Sequence, residues 1–444
     1  MLFDDIGLLV PEILLPRVGT DLTGWAVVAC DQYTSQPEYW ERVRDFVGQK
    51  PSTFHIILPE AYLEECDNEA AAVKINTAMQ DYLDKGIFEP ARRGFVLVDR
   101  KTARGSSRKG LVVALDLDRY DFHKGSKSLI RATEGTVIER LPPRIKIRKD
   151  APIESPHIMV LIDDPGKTVI EPLFNKGLQK VYDFDLMEKS GHITGYLVED
   201  RDALAETAEA LRKLADLNGF RKKYQVNDAD VLLYAMGDGN HSLATAKEIW
   251  ETLKKSAPDK NAVMKHPARY ALVELVNLHD EALTFEPIDR VVFGCDFRHM
   301  IQAMEKFFTA QGSTFSVSEC TSEDEFKAIP ERIAGTHRIS YVTKDFRGTI
   351  TIKNPKHSLE VGSLQLFLDE YIKGSQIKID YIHGEEIVIG LGIKRGNAGF
   401  FLPAIDKFDF FRTIVKDGVL PRKTFSMGHA DEKRFYLECR RITE

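Results

Sequence analysis

Short apolar runs alternate with amphipathic stretches along most of this chain. Runs at 25–30, 55–58, 95–99, 111–117, 157–162, 192–198, 231–236 and 269–278 have the length and residue types of buried strands. Between them lie helical periodicities. One starts near Pro37, with Tyr39, Val43 and Phe46 on a stripe and Ser35 and Glu38 at capping-box spacing. Another spans 69–85, with Ala72, Ile75, Met79 and Tyr82 on one face and Gly86 behind it. A third covers 201–217 and is closed by Gly219. The 243–253 segment places Leu243, Ala246, Ile249, Trp250 and Leu253 on one side.

The pattern changes near Cys295. A helix at 297–310, strands at 314–318, 338–343 and 348–353, a helix at 322–333 capped by Ser322, and a helix at 364–372 suggest a small βαβ-containing α+β unit. The expected organisation is α/β to α+β: a mixed-sheet main domain over 1–295, a small α+β subdomain over 296–375, and a C-terminal segment, 376–444, packing back on the main domain. In that last segment, helices are expected at 385–394 and 406–416 and strands at 400–402 and 435–438.

Composition narrows the class. With 43% hydrophobic and 29% charged residues the chain reads as an ordinary globular protein. A net charge of −7 argues against a nucleic-acid partner. Absence of a long apolar run argues against a membrane one, and the start lacks a basic leader. The five cysteines are scattered, which fits a reducing, cytoplasmic setting without structural zinc.

The candidate chemistry concentrates at 231–253. A strand runs into Gly237, Asp238, Gly239, Asn240, His241 and Ser242, and a helix follows with Ser242 as its expected N-cap. Two glycines permit a tight turn. The turn places an acid and an imidazole beside a helix N-terminus, a natural anion site, with Asp238 available to a metal ion or a proton. A purely local turn fits the same spacing. A second strand-turn-helix junction offers Asp31, Gln32, Tyr33 and Thr34. Arg131 and Glu134, three apart, would share a helical face as anion clamp and base, or form a surface ion pair. Lys423 and Thr424 sit in a basic loop suited to phosphate. The basic residues at 100–109 read as a solvated hairpin tip. Gly166-Lys167-Thr168 lacks the upstream glycine of a P-loop, and the glycines at 390–396 are misspaced for a dinucleotide fold.

Asp238-Gly-Asn-His-Ser242 resembles the Asp-Gly-His-His-Arg element of an uncharacterised prokaryotic family, domain of unknown function family 1015. Further matches are Arg131-Ala-Thr-Glu134, Pro287-Ile-Asp-Arg290, Tyr381-Ile-His383 and Pro421-Arg-Lys-Thr-Phe425. The element is also similar to that of the ParB/sulfiredoxin-like superfamily, which includes free-serine kinases. The resemblance implies a nucleotide-dependent phosphotransferase acting on a small-molecule metabolite, with ATP or ADP and Mg. Asp238, His241 and Glu134 would then be catalytic, and Gly237, Gly239, Asn240, Ser242, Arg131, Lys423 and Thr424 would bind the cofactor. This chain departs from the family element at Asn240 and Ser242, and losing that Arg removes a bidentate phosphate group. A non-catalytic nucleotide or small-molecule binding protein and a metal-dependent hydrolase are the alternatives. Oligomeric state is not legible.

Overall fold

The computed structural model describes all residues except Ser35, Glu64, Glu65, Val137, 321–324, His383, Arg422 and Glu444, and the side chains of Phe408 and Asp417. The expected caps at Ser35 and Ser322 therefore lie outside the described residues, as do His383 and Arg422 of the family-like stretches. The chain divides into two compact units, Met1–Thr284 with Met427–Glu444, and Phe285–Ser426.

The first unit is built on a mixed sheet. Its main strands are β1 (Phe95–Thr102), β2 (Ser107–Asp116), β3 (Ile130–Arg131), β4 (Met159–Ile162), β5 (Gln179–Asp185), β6 (Gly191–Val198), β7 (Tyr234–Asp238) and β8 (Tyr270–Asn277). They lie in the order β5-β6-β1-β2-β8-β4-β7-β3. β4 pairs parallel to β8 and antiparallel to β7, so β7 ends where β4 begins and Met159 faces Asp238.

Both sheet faces are buried, which is why the strands read as continuous apolar runs rather than alternating ones. Phe95 and Leu97 enter one core and Val96 and Val98 the other. Helices α1 (Pro37–Val47) and α2 (Asn68–Asp84) cover the second core with Trp40, Val43, Ile75 and Met79. Helices α3 (Leu141–Arg148), α4 (Arg201–Leu214) and α5 (Asn240–Ser256) pack on the first, α5 through Leu243, Ala246 and the fully buried Trp250. Each large side chain so buried stabilises the fold by roughly 1.5–3 kcal/mol.

Several local expectations change. The 55–58 run is a 3-10 turn, Thr53–Ile56. Gly219 does not close α4. It lies inside a separate helix, Leu217–Tyr224, capped by Asp216. The tip of the basic hairpin is exposed at Lys101 and Arg104 as expected, but Arg100 and Arg108 are 1% and 4% exposed, and donate to the carbonyls of Asp431 and Glu432. Arg131 is in strand β3, not on a helix, so the i,i+3 pairing with Glu134 does not form that way.

The second unit has an antiparallel sheet of β9 (Asp289–Phe293), β10 (Thr314–Glu319), β11 (Thr336–Thr343), β12 (Arg347–Lys353), β13 (Lys378–Ile382) and β14 (Asn397–Phe401), ordered β10-β12-β11-β14-β9-β13. Helices Phe297–Ala310 and Glu360–Tyr371 bury Met300, Met304, Leu364 and Phe367 against it. Residues 325–333 are irregular rather than helical, ending in a bridge from Ile333 to Thr336. The unit runs to Ser426 rather than to 375, because β13 and β14 both pair with β9. These pairings hold β13 and β14 in this sheet, and Met427–Glu444 returns to the first unit. Among the described residues no helix is long and apolar enough to cross a membrane.

Candidate functional site

At the end of β7 the chain turns at Gly239, whose φ of +80° is open to glycine and costly for other residues. Gly237 is crowded instead: a Cβ there would lie 2.7 Å from Met427 Cε and 3.1 Å from Leu161 Cγ, so the Met427 side chain would have to move. Helix α5 then begins at Asn240, one turn earlier than a Ser242 cap would allow. Both Ser242 and Leu243 donate their N–H to the Gly239 carbonyl, which fixes Gly239 as N-cap. Ser242 thus stands inside the first turn, with its hydroxyl turned to another residue. Its Oγ lies 3.1 Å from His157 Nε2.

Asp238 is the last residue of β7. Its Oδ1 accepts the Gly239 N–H at 2.9 Å, and its Oδ2 lies 2.9 Å from Lys433 Nζ. The two side chains are 19% and 8% exposed, so the pair is largely screened from water. Burial alone would raise the Asp238 pKa. The Lys433 ammonium, with smaller help from His157 and the Gly239 N–H, holds it below the usual carboxylate range.

Lys433 reaches this position because the returning C-terminal segment is anchored by charge. Arg434 is 1% exposed and bonds Glu274 of β8 and Glu438. Arg440 donates to Glu154 at 2.6 Å. Phe435 and Tyr436 pair antiparallel with Val28 and Val27. This brings the Tyr436 hydroxyl 2.6 Å from His157 Nδ1. The Tyr436 oxygen also accepts the Cys30 N–H at 3.3 Å, and burial pushes its pKa far above the ordinary phenol value. The phenol hydroxyl and Nδ1 share a hydrogen bond, and Nε2 faces Ser242 and Asp31, whose Oδ2 is 3.9 Å away.

Beside this cluster lies a cavity of about 140 Å³. Its polar lining includes Glu60, Arg144, Arg148, Glu154, His157 and Tyr436. Arg144 binds Glu60 through Nε at 2.9 Å and through Nη2. Both strand-turn-helix junctions therefore reach this cavity, the first through Cys30 and the second through Ser242 and Thr245 of α5.

The residues expected from sequence divide accordingly. Gly237, Asp238, Gly239 and Ser242 form the turn and its contacts. Asn240 and His241 stand in the first turn of α5, where the buried Asn240 Oδ1 has no hydrogen-bond partner among the described residues and the His241 carbonyl accepts from Thr245. Arg131 is committed elsewhere. Its guanidinium donates to the carbonyls of Ser128, Asp230 and Val231 at 2.7, 2.8 and 3.2 Å. Glu134 is half-buried in the segment after β3. Lys423 and Thr424 belong to the second unit, where the Lys423 carbonyl accepts from Arg290 and the Thr424 hydroxyl donates to the Pro421 carbonyl. His157, Lys433 and Tyr436 are additions that the sequence reading passed over. His157 was legible only as the first residue of an apolar run after Pro156, and Lys433 only as part of the charged run 431–434. Among the described residues no three His, Cys, Asp or Glu side chains gather to hold a metal ion.

A family model described as a protein of unknown function, DUF1015, matches residues 14–371. Residues 372–444, with Lys433 and Tyr436, lie outside the matched range. No curated protein sequence matches the chain. Among solved structures, a free serine kinase variant in complex with AMP is similar at 15% identity and a TM-score of 0.38, over 75% of this chain and 92% of that one. A variant of a free serine kinase in complex with ADP gives 14% and 0.38, over 75% and 92%. A conserved hypothetical protein from Pyrococcus furiosus gives 15% and 0.34, over 73% and 90%.

Proposed function

The chain belongs to the DUF1015 family of proteins of unknown function, and for this member we propose a nucleotide-dependent phosphotransferase that acts on a small metabolite. The observation that carries the reading is the screened Asp238–Lys433 pair, 2.9 Å apart at the N-terminus of α5. Phosphoryl transfer asks for cations around the phosphate oxygens and a carboxylate that stays ionised. Lys433 and the first turn of α5 supply the positive side. Asp238 is the carboxylate, kept charged by Lys433. His157, oriented by Tyr436, stands within reach of Ser242 and offers a second proton-handling group.

Magnesium takes one or two protein carboxylates and completes its shell with phosphate oxygens and water, so a nucleotide would bring the ion with it. Asp238 would hold it, and the ion would neutralise charge on the phosphates. The partner of the nucleotide is a small molecule rather than nucleic acid.

A second reading, nucleotide binding without turnover, has one observation in its favour: Lys433 already neutralises Asp238. The hydrolase reading has less, because it needs further ligands around Asp238.

The test is a thermal-shift titration with ATP and ADP, with and without magnesium, on the native protein and on Asp238→Asn and Lys433→Met, followed by measurement of ADP release with candidate acceptors. A concentration-dependent rise in Tm that both substitutions weaken supports the proposal. No shift with any nucleotide, in a protein that melts cooperatively, overturns it. Binding without ADP release across a broad acceptor panel leaves the second reading standing.

A further inference from the structure

We propose that the cavity beside His157 binds a short-chain aliphatic hydroxycarboxylate, as the acceptor of the transferred group. Only the acceptor role rests on the phosphotransferase reading; the binding stands on the cavity's own chemistry.

The wall is aliphatic. Ile57, Leu58, Leu63, Ile147 and Ile153 face the space, and its small volume suits a body of a few carbons. The charged lining is two arginines and two glutamates, Arg144 with Glu60 and Arg148 with Glu154, and the two pairs differ. Arg144 and Glu60 satisfy one another, and Arg144 Nη1 donates to the Arg140 carbonyl at 2.6 Å. Arg148 is different. It gives Nη2 to Glu154 Oε2, but the other oxygen of Glu154 already takes Arg440 twice and the Leu272 N–H. Two guanidinium groups thus share one buried carboxylate, and Arg148 holds only one of its oxygens. Among the described residues, Arg148 Nε and Nη1 make no hydrogen bond. A guanidinium edge with donors to spare in a largely apolar cavity selects a carboxylate.

Arg144, Ile147 and Arg148 recur at i, i+3 and i+4 on α3, so the cation and the apolar wall come from one helical face. The remaining polar lining, His157, Ser242 and Tyr436, is rich in groups that exchange hydrogen bonds with a hydroxyl. A carboxylate, a short apolar body and a hydroxyl therefore each find a matching surface.

The experiment is a thermal-shift and calorimetric titration of the full chain, without nucleotide, using hydroxyisovalerate, lactate, isobutanol and isobutylamine. Because nucleotide is omitted, failure of the nucleotide reading leaves this result intact. Saturable binding of hydroxyisovalerate, at least about tenfold tighter than isobutanol, is expected, and Arg148→Met should weaken it about tenfold or more. Arg148→Met keeps the Glu154–Arg440 pair, and its melting curve reports whether it folds. Should it not, Ile147→Phe, which fills the cavity without touching charge, is expected to abolish binding. Equal binding by Arg148→Met and the native protein, tighter binding of isobutylamine, or no binding of any compound to natively melting protein would each overturn the proposal.

Discussion

Lys433 and Asp238 form a nearly buried ion pair, Nζ to Oδ2 2.9 Å, between the C-terminal segment and the turn at the end of β7. Breaking such a pair from one side leaves a charge without a partner in a screened site, whereas removing both ends leaves none. Lys433→Met is expected to cost roughly 3 kcal/mol in urea unfolding. The double variant Asp238→Asn with Lys433→Met should cost clearly less than the sum of the singles. Additive costs would mean that the two side chains are solvated independently and that the pair does not organise the turn.

Arg131 has the opposite profile. Its guanidinium holds the Ser128, Asp230 and Val231 carbonyls together, which ties the edge strand β3 to the lead into β7. Arg131→Met should therefore lower stability by roughly 2 kcal/mol, since it leaves carbonyls without their donor. Affinity for nucleotide should change less than about threefold under conditions where the variant is folded. A selective loss of nucleotide affinity at full stability would return Arg131 to the binding site.

What the sequence made legible was local. An apolar run, two glycines and an amphipathic helix suffice to place Asp238 at a strand end. The helix start was misread because Ser242 looks like a cap, whereas Gly239 at φ +80° lets α5 begin sooner. Arg100 and Arg108 depart from the solvated tip around them because the returning C-terminal segment offers their guanidinium groups the carbonyls of Asp431 and Glu432. Lys433, Tyr436 and His157 act through partners far away in sequence, and no periodicity records that. The burial of Arg434 between Glu274 and Glu438 sets their positions, and a run of four charged residues at 431–434 would ordinarily signal a solvated loop.

Gly239 offers a direct test of the turn. An added Cβ at φ +80° would be strained and would sit 3.1 Å from Ile158 Cα. Gly239→Ala is expected to destabilise by about 1–2 kcal/mol. It should also shift the first turn of α5, disturbing the Ser242–His157 contact, so the His157 ring resonances should move in an NMR spectrum of the variant. A variant as stable as the native protein with unchanged His157 signals would show that the turn tolerates a side chain and that its glycine is not needed for geometry.

The second unit carries two groups that respond to pH in opposite senses. His337 is buried on β11 with Nδ1 3.0 Å from Ser363 Oγ, and burial lowers its pKa to about 4. The unfolded chain therefore takes up a proton first. The stability held by neutral His337 is lost as pH falls from the unfolded value near 6.5 toward 4, roughly 3 kcal/mol in all. Asp289 is raised to about 6 by burial, against the Leu402 N–H that favours its charge. Its contribution is fully present below the unfolded pKa and is lost as pH rises through about 6, again roughly 3 kcal/mol. Between pH 4 and 6 the two slopes oppose and partly cancel. Separate substitutions should expose each. Asp289→Asn leaves the histidine slope, so stability of this unit should climb more steeply from pH 4 to 6 than in the native chain. His337→Gln leaves the aspartate slope, so stability should fall over the same interval. Urea unfolding followed by a probe in this unit decides the matter, and parallel profiles for the native chain and both variants would show that neither group changes protonation on folding.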